Sequence, residues 1–524
     1  MRGKIRLMLM ALVMVSCSGK GMDPEDGLDY QYGRNLSHEK IVLGARLENP
    51  YKTENITKAL QSLYPTKADR VEIRTTDLYV RFLPETEEQF ALLEGQNLKL
   101  SDHPLDYEIV EDGDWYHDPE VPDDKLTWQY AVVPHDFNFP DIEYEIIDEC
   151  HISENDPETR SVEGIDWEAV ERQAYLMTGN GDYLLPDTKA SKVKPSGRIT
   201  IVDEDVDGGT PVGVKGVRVS CNTFVKFSHG YTDENGYYVM GKKFSSKLRY
   251  RLVFENVKGF SIGFNAILVP ASTSTLGKAS PEGINVTITR NSESKLFKRC
   301  VVNNSAYDYY DRCDPEDLNL SLPPSGLRIW LFHTLQASSA LMMHHGAILD
   351  MSIVSSFLGD FASLLRIFLP DLTVGVKGRD DYSSIYSEVC HELAHASHFA
   401  NVGTDYWNNY VLYMLGSYIS SGGITYGDGY GTNSGYCEVG EMWAYHMSSK
   451  LWYERYGGEY PSFGTSFWFY PQILRYVEEM GIESWEIMDI LKPSVNSKDA
   501  LKRALIARHP DKSDAIDHIF NRYM

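Results

Sequence analysis

The segment Ser387-Glu-Val-Cys-His391-Glu392-Leu-Ala-His395-Ala-Ser-His398 decides how this chain is read. Ile385, Val389, Leu393 and Ala396 recur at helical spacing through it, which predicts a half-buried helix. On that helix His391 and His395 stand one turn apart on one face. Two imidazoles so placed can hold one zinc ion at about 2.0–2.1 Å each. Glu392 lies beside that face, where a carboxylate can take a proton from zinc-bound water. Ala394, Ala396 and Ser397 are small and leave room for an ion. His398 shares the face but lies too far along to ligate, so it is expected to support the site or to face solvent.

A catalytic zinc takes three protein ligands and keeps one position open. Where a metzincin carries Gly and His, this chain has His398 and Asn401, which excludes that clan. In Gly403-Thr-Asp405 the aspartate does not stand where an aspzincin places it. Downstream, Cys437-Glu438-Val-Gly-Glu441-Met-Trp-Ala444 resembles the second helix of the gluzincins, in which the ligand glutamate is followed two residues later by an aromatic and then by Ala. The resemblance implies Glu441 as third ligand, with Glu438, one turn earlier on the same face, as the alternative. That family often carries Asp four residues after the ligand, and here the position holds Tyr445, or Met442 if Glu438 binds. The resemblance further implies a zinc metallopeptidase that hydrolyses peptide bonds through metal-activated water, with Glu392 as general base. Tyr445 and His446 are the oxyanion candidates, with Tyr453 and Tyr456 further along, and helical phase does not choose among them. The Gly- and Tyr-rich stretch over 422–436 reads as a loop at the mouth of a cleft. His344-His345 follows an apolar run and reads as structural.

Around this centre, residues 294–524 are expected to form a helix-rich α+β, zincin-like domain. Helices are expected over 307–312, 355–365, 383–400, 407–419 and 438–456 and from Asp499 onward, with strands over 327–332 and 372–376. Upstream, strand-like runs over 199–202, 217–220, 237–240, 248–253 and 284–288 alternate with Gly/Asp/Asn turns, which predicts an antiparallel β-sandwich over 195–293. Gly213-Val-Lys-Gly216-Val-Arg-Val and Thr232-Asp-Glu-Asn-Gly236-Tyr-Tyr-Val are similar to the carboxypeptidase regulatory-like, transthyretin-like domain, which implies an accessory role. Asp203-Glu-Asp205-Val-Asp207-Gly208 imitates a calcium loop, but its twelfth position is Val214 and its flanks are strands, so a polar turn is expected. Residues 151–194 read as a helical connector, with a helix over 166–177, followed by a Lys/Ser/Pro linker. Residues 41–150 read as a small α+β domain. It has a strand where Leu78, Val80 and Phe82 alternate with Tyr79 and Arg81, a short helix over 84–93, and a loop-like Asp/Pro-rich stretch to Pro140.

The chain has 524 residues, enough for about three domains. Its 42% hydrophobic and 24% charged residues exclude a disordered chain. A net charge of −25 repels phosphate backbones, so no nucleic-acid partner is expected. No apolar run of membrane-spanning length follows the N-terminus, which excludes a multi-span protein. At the start, Arg2, Lys4 and Arg6 precede the apolar run over 7–15 and then Ser16-Cys17. This resembles a bacterial lipoprotein signal. It implies that residues 1–16 are removed, that Cys17 carries the lipid, and that residues 17–40 are a tether. Ser18 in place of Asp favours the outer membrane, with the chain periplasmic or surface-exposed. That compartment permits disulfides among the other six cysteines; Cys300 and Cys313 are close enough in sequence to clip a loop, and no CxxC pair exists. The expectation is a membrane-anchored zinc peptidase acting on a peptide or protein substrate, its oligomeric state open. The rival is a non-enzymatic surface lipoprotein that binds glycan or protein through its β-domains, with a degenerate peptidase fold. A degenerate site would be expected to have lost Glu392 or a histidine, and all three residues are present.

Overall fold

The computed structural model describes residues 40–523 apart from 69–70, 97, 123–124, 186–191, 207, 264–270, 293, 334–335, 348–368, 422–425, 462 and 464–466. Cys17, all but the last residue of the tether, the helix expected over 355–365 and the Gly422-Gly423 pair lie outside the described residues. Within them the chain is a mixed α+β protein with several sheets and a helical C-terminal region. No helix among the described residues is long and apolar enough to cross a membrane.

The N-terminal part runs β1 (Val42–Arg46), α1 (Thr53–Leu63), β2 (Asp77–Leu83), α2 (Glu87–Gly95), β3 (Tyr107–Glu111), β4 (Gln129–Pro134), β5 (Glu143–Cys150) and α3 (Trp167–Met177). β2 is the central strand of an antiparallel sheet ordered β4-β2-β5, and β1 pairs with β3. β3 and β4 fall in the stretch expected to be loop. β4 buries Gln129, Tyr130, Ala131 and Val133 on both of its faces, so it lacks the period-two alternation that reveals a strand. α3 begins where the helix was expected, and the Asp166 carboxylate accepts from the amides of Glu168 and Ala169. Its Trp167, Val170 and Ala174 pack against Ile56, Ala59 and Leu60 of α1. The segment expected as a connector is therefore packed onto the N-terminal unit.

The middle region holds β6 (Ser196–Val202), β7 (Pro211–Gly213), β8 (Val217–Thr223), β9 (Lys226–Tyr231), β10 (Tyr237–Val239), β11 (Leu248–Asn256), β12 (Phe260–Gly263), β13 (Thr273–Ala279) and β14 (Val286–Ile288). One sheet is ordered β10-β6-β14, with β7 also on β6. In the other, β9, β8, β11 and β12 lie side by side, with β13 also on β11. The two layers share a core that includes Ile199 and Ile201 on one side and Val219, Tyr250 and Leu252 on the other.

The antiparallel expectation needs correcting, because β14 runs parallel to β6 and β12 runs parallel to β15 (Leu327–Phe332). β15 continues into β17 (Leu372–Gly375), parallel again, and β17 pairs with β16 (Ser339–Ala340). One eight-stranded sheet thus crosses the boundary expected at residue 294. An unpaired β12 would leave a row of open backbone groups; the downstream strand covers them.

Helix α4 (Ser294–Arg312) extends far beyond the expected 307–312 and joins the same core through Cys300, Val301 and Tyr309. Six cysteines are described, and all are buried. Cys300 lies within α4 and Cys313 just past its end. A rise of about 1.5 Å per residue separates them by roughly 20 Å, beyond disulfide reach.

The C-terminal helices are α5 (Tyr382–Ser421), α6 (Ser434–Tyr456), α7 (Gln472–Glu479), α8 (Ser484–Ile490), α9 (Lys498–Arg508) and α10 (Ser513–Arg522). α5 is two helices joined at Gly403, whose φ of 75° breaks the helical path. α5 and α6 pack along each other. The acidic turn follows β6 and leads toward β7. Its Asp203 is buried and accepts from Arg455 at 2.9 Å and from the Tyr456 hydroxyl at 3.1 Å, tying the middle region to the end of α6.

Candidate metal centre

The apolar face expected of the His-Glu-x-x-His helix is present: Ile385, Val389, Leu393 and Ala396 are buried. The opposite face is covered as well, because α6 and the second half of α5 close over it. His391, Glu392, His395 and His398 are all buried. A half-buried helix was expected, and a helix buried all round, with one polar stripe inside, is found.

That stripe meets Glu441 of α6. Nε2 of His391 lies 3.5 Å from Glu441 Oε2, and Nε2 of His395 lies 3.5 Å from Glu441 Oε1. One ligand atom from each of the three residues can be chosen so that all lie within 4.8 Å of one another. The imidazole rings are 4.8 Å apart at 83°. Gly440 permits this approach: a Cβ there would stand 3.3 Å from the ring of Tyr410. Burial pushes the Glu441 carboxyl upward in pKa, but the two histidines facing it outweigh that and hold it well below the usual carboxylate range.

Glu438 is directed elsewhere. Its carboxylate accepts from the Lys498 amide at 2.8 Å and pairs with Lys498 Nζ at 3.3 Å, so it satisfies the first open amide of α9, next to the N-cap Ser497. Three residues at about 100° each leave two side chains roughly 60° apart around a helix, enough to send them to different neighbours.

Glu392 is completely buried, and neither of its carboxylate oxygens has a hydrogen-bond partner among the described residues. Burial, then the nearby Glu388 and Glu441, push its pKa well above the usual range, with Arg379 opposing. Nε2 of His391 is also buried without a hydrogen-bond partner among the described residues. Unsatisfied buried polar atoms are rare in native proteins. Here they surround a donor set of two imidazole nitrogens and a carboxylate, which suits a divalent transition metal. This buried group could bind a metal ion.

Of the two oxyanion candidates, only Tyr445 is at the site. Its ring lies 4.4 Å from that of His391, and its hydroxyl is 2.8 Å from the hydroxyl of Tyr426. His446 is turned to the opposite seam, where Nε2 lies 3.3 Å from Glu478, which also takes Lys450 and Ser484. One residue along a helix is a turn of about 100°, which separates the two. Tyr456 is engaged with Asp203, and Tyr453 packs on Tyr460. His398 does not face solvent. It is enclosed by Tyr406 and Trp407, and burial lowers its pKa to about 3. His345 bridges Asp371 and the Ser325 carbonyl, the structural role expected of it.

Sequence reasoning missed Tyr410. Its hydroxyl donates to Glu441 Oε1 at 2.6 Å, and its ring lies 5.5 Å from that of His395. Trp407 flanks the same imidazole at 5.7 Å. No sequence spacing signals this, because both side chains reach the site only through the break at Gly403.

Comparison of the chain with protein-family models, with curated proteins and with solved structures finds no match.

Proposed function

We propose that the chain is a membrane-anchored zinc-dependent peptidase of gluzincin-like type. The observation that carries this reading is the convergence of His391, His395 and Glu441 beside a buried carboxylate, Glu392, with no hydrogen-bond partner among the described residues. The three ligand candidates would hold zinc. When bound, zinc supplies Lewis acidity and acidifies a water toward neutral pH. Glu392 accepts the proton of the attacking water at a carboxylate oxygen and returns it to the leaving amine. Tyr445, beside His391, is the candidate partner for the developing oxyanion.

In this reading the lipid on Cys17 anchors the chain to the bacterial outer membrane, and residues 195–293 serve as a carboxypeptidase regulatory-like accessory unit. The substrate is a peptide or protein. Replacing Cys17 by Ser would release the chain into the soluble fraction, and retention on membranes would remove the anchor from the proposal.

The deciding experiment is hydrolysis of a diverse peptide library by wild type and by Glu392→Gln, both loaded with zinc. Wild type cleaves, and the variant keeps its zinc and loses cleavage. A wild type that binds zinc yet cleaves nothing would favour the non-enzymatic binding protein.

A further inference from the structure

Tyr410 lies outside the motif yet touches the ligand set directly, and its contact has a chemical consequence. We propose that Tyr410 is a positioning residue for Glu441: its hydroxyl occupies Oε1, so that the carboxylate offers Oε2 alone to the metal and a coordination position stays open for substrate.

A carboxylate can bind a metal through one oxygen or through both. The two modes differ in how many positions remain for water or substrate, and a catalytic zinc site needs one. The Tyr410 hydroxyl is 2.6 Å from Oε1, the length of a bond from O–H to an ionised carboxylate. Both residues are buried, so water does not compete for that oxygen. The tyrosine is itself locked. Its ring packs on Trp407 at 4.8 Å and on His395 at 5.5 Å, and the Trp407 indole donates to the Ala340 carbonyl at 2.8 Å. Gly403 turns the chain so that the second half of α5 delivers Tyr410, and Gly440 leaves the space its ring fills. An oxygen held by a rigid donor of this kind is withheld from the metal, and partners of this kind tune affinity by about 10–100-fold.

The inference rests on the metal reading above, and the test separates the two. The full chain is loaded with zinc, to measure affinity by chelator competition, and separately with cobalt(II), whose visible absorption reports coordination number. Wild type, Tyr410→Phe and Glu438→Gln are compared. Tyr410→Phe is expected to weaken zinc binding by about 10–100-fold. It is also expected to lower the cobalt absorptivity, as the released oxygen adds to the metal. Glu438→Gln, on the same helix as Glu441 but directed to Lys498, leaves the cobalt spectrum as in wild type. A Tyr410→Phe variant with wild-type affinity and spectrum overturns the inference, as does an equal spectral change in both variants. Failure of wild type to bind either ion overturns the metal reading itself and this inference with it.

Discussion

Two buried polar clusters in this molecule are built on opposite principles. Where the N-terminal unit meets the middle region, Lys226 is fully buried and lies 2.7 Å from Glu154. Lys192 lies 2.7 Å from Glu154 and 2.5 Å from Glu171. The Tyr51 hydroxyl donates to Glu171 as well. Two cations thus balance two carboxylates. In the metal centre, two carboxylates and two imidazoles face one another with no lysine or arginine in the ligand set, and Glu392 has no hydrogen-bond partner among the described residues. Both clusters carry the desolvation penalty of buried charge, and only the first offsets it with protein groups alone. A charge-balanced network holds elements together. In the proposed reading, the unbalanced one holds a place for a metal ion.

The sharpest way to break this comparison is to remove Glu392. Glu392→Gln should reduce peptide hydrolysis by about 10²–10⁴-fold, the usual worth of a general acid–base. Because no described residue hydrogen-bonds that carboxylate, the metal-free variant should melt no lower than wild type. Calorimetry showing a large loss of stability would mean that Glu392 is a structural residue.

Lys226→Met should do the reverse. Breaking a buried ion pair from one side typically costs about 3–5 kcal/mol. Chemical denaturation should show that loss while zinc affinity stays at the wild-type value. The same network predicts an acid sensitivity. Burial raises the Glu154 pKa, but Lys226 and Lys192 outweigh it and lower the group to about 2. A carboxyl depressed on folding contributes stability above its unfolded pKa and loses it as pH falls through the folded one. Stability should therefore fall between roughly pH 4.5 and 2, and less steeply in Lys226→Met.

Glu441 and Glu438 carry the comparison onto one helix. Glu441→Gln should weaken zinc binding by more than the roughly 10–100-fold expected for a ligand's supporting partner. Glu438→Gln should leave zinc binding unchanged and cost about 0.5–2 kcal/mol, the worth of a bond to an open amide at a helix start. Chelator competition and thermal melts on both variants read this directly, and zinc loss in Glu438→Gln alone would exchange the two roles.

Much of the site was legible in the chain. His391, Glu392 and His395 are local: once residues 382–402 are helical, the 3.6-residue period puts the histidines on one side whatever surrounds them. The strands at 199–202, 217–220, 237–240 and 248–253 were legible for the same reason, since turn residues bound each run. The cap at Asp166 announced α3. Glu441 was reached through a resemblance and not through geometry. The expectation failed where a long-range partner decides. β4 is covered on both faces and hides its period. Tyr445 and His446 are adjacent in sequence and face different neighbours. The Cys300–Cys313 loop is a helix.

What the sequence by itself determined is therefore the local order: the His-Glu-x-x-His pattern on one helix, most of the strands of the middle region, and a composition suited to a globular chain. What only the tertiary structure decided is which side chains meet across elements. It joined β12 to β15, so that the middle region and the helical region share one sheet and one core. It gave Glu441 rather than Glu438 to the histidines, and through one positive φ at Gly403 it brought Tyr410 onto Glu441. The physical reason is range. Helical and strand periodicity are set by backbone sterics within a few residues, whereas the direction in which a helix presents each side of itself depends on packing against segments far away in the chain.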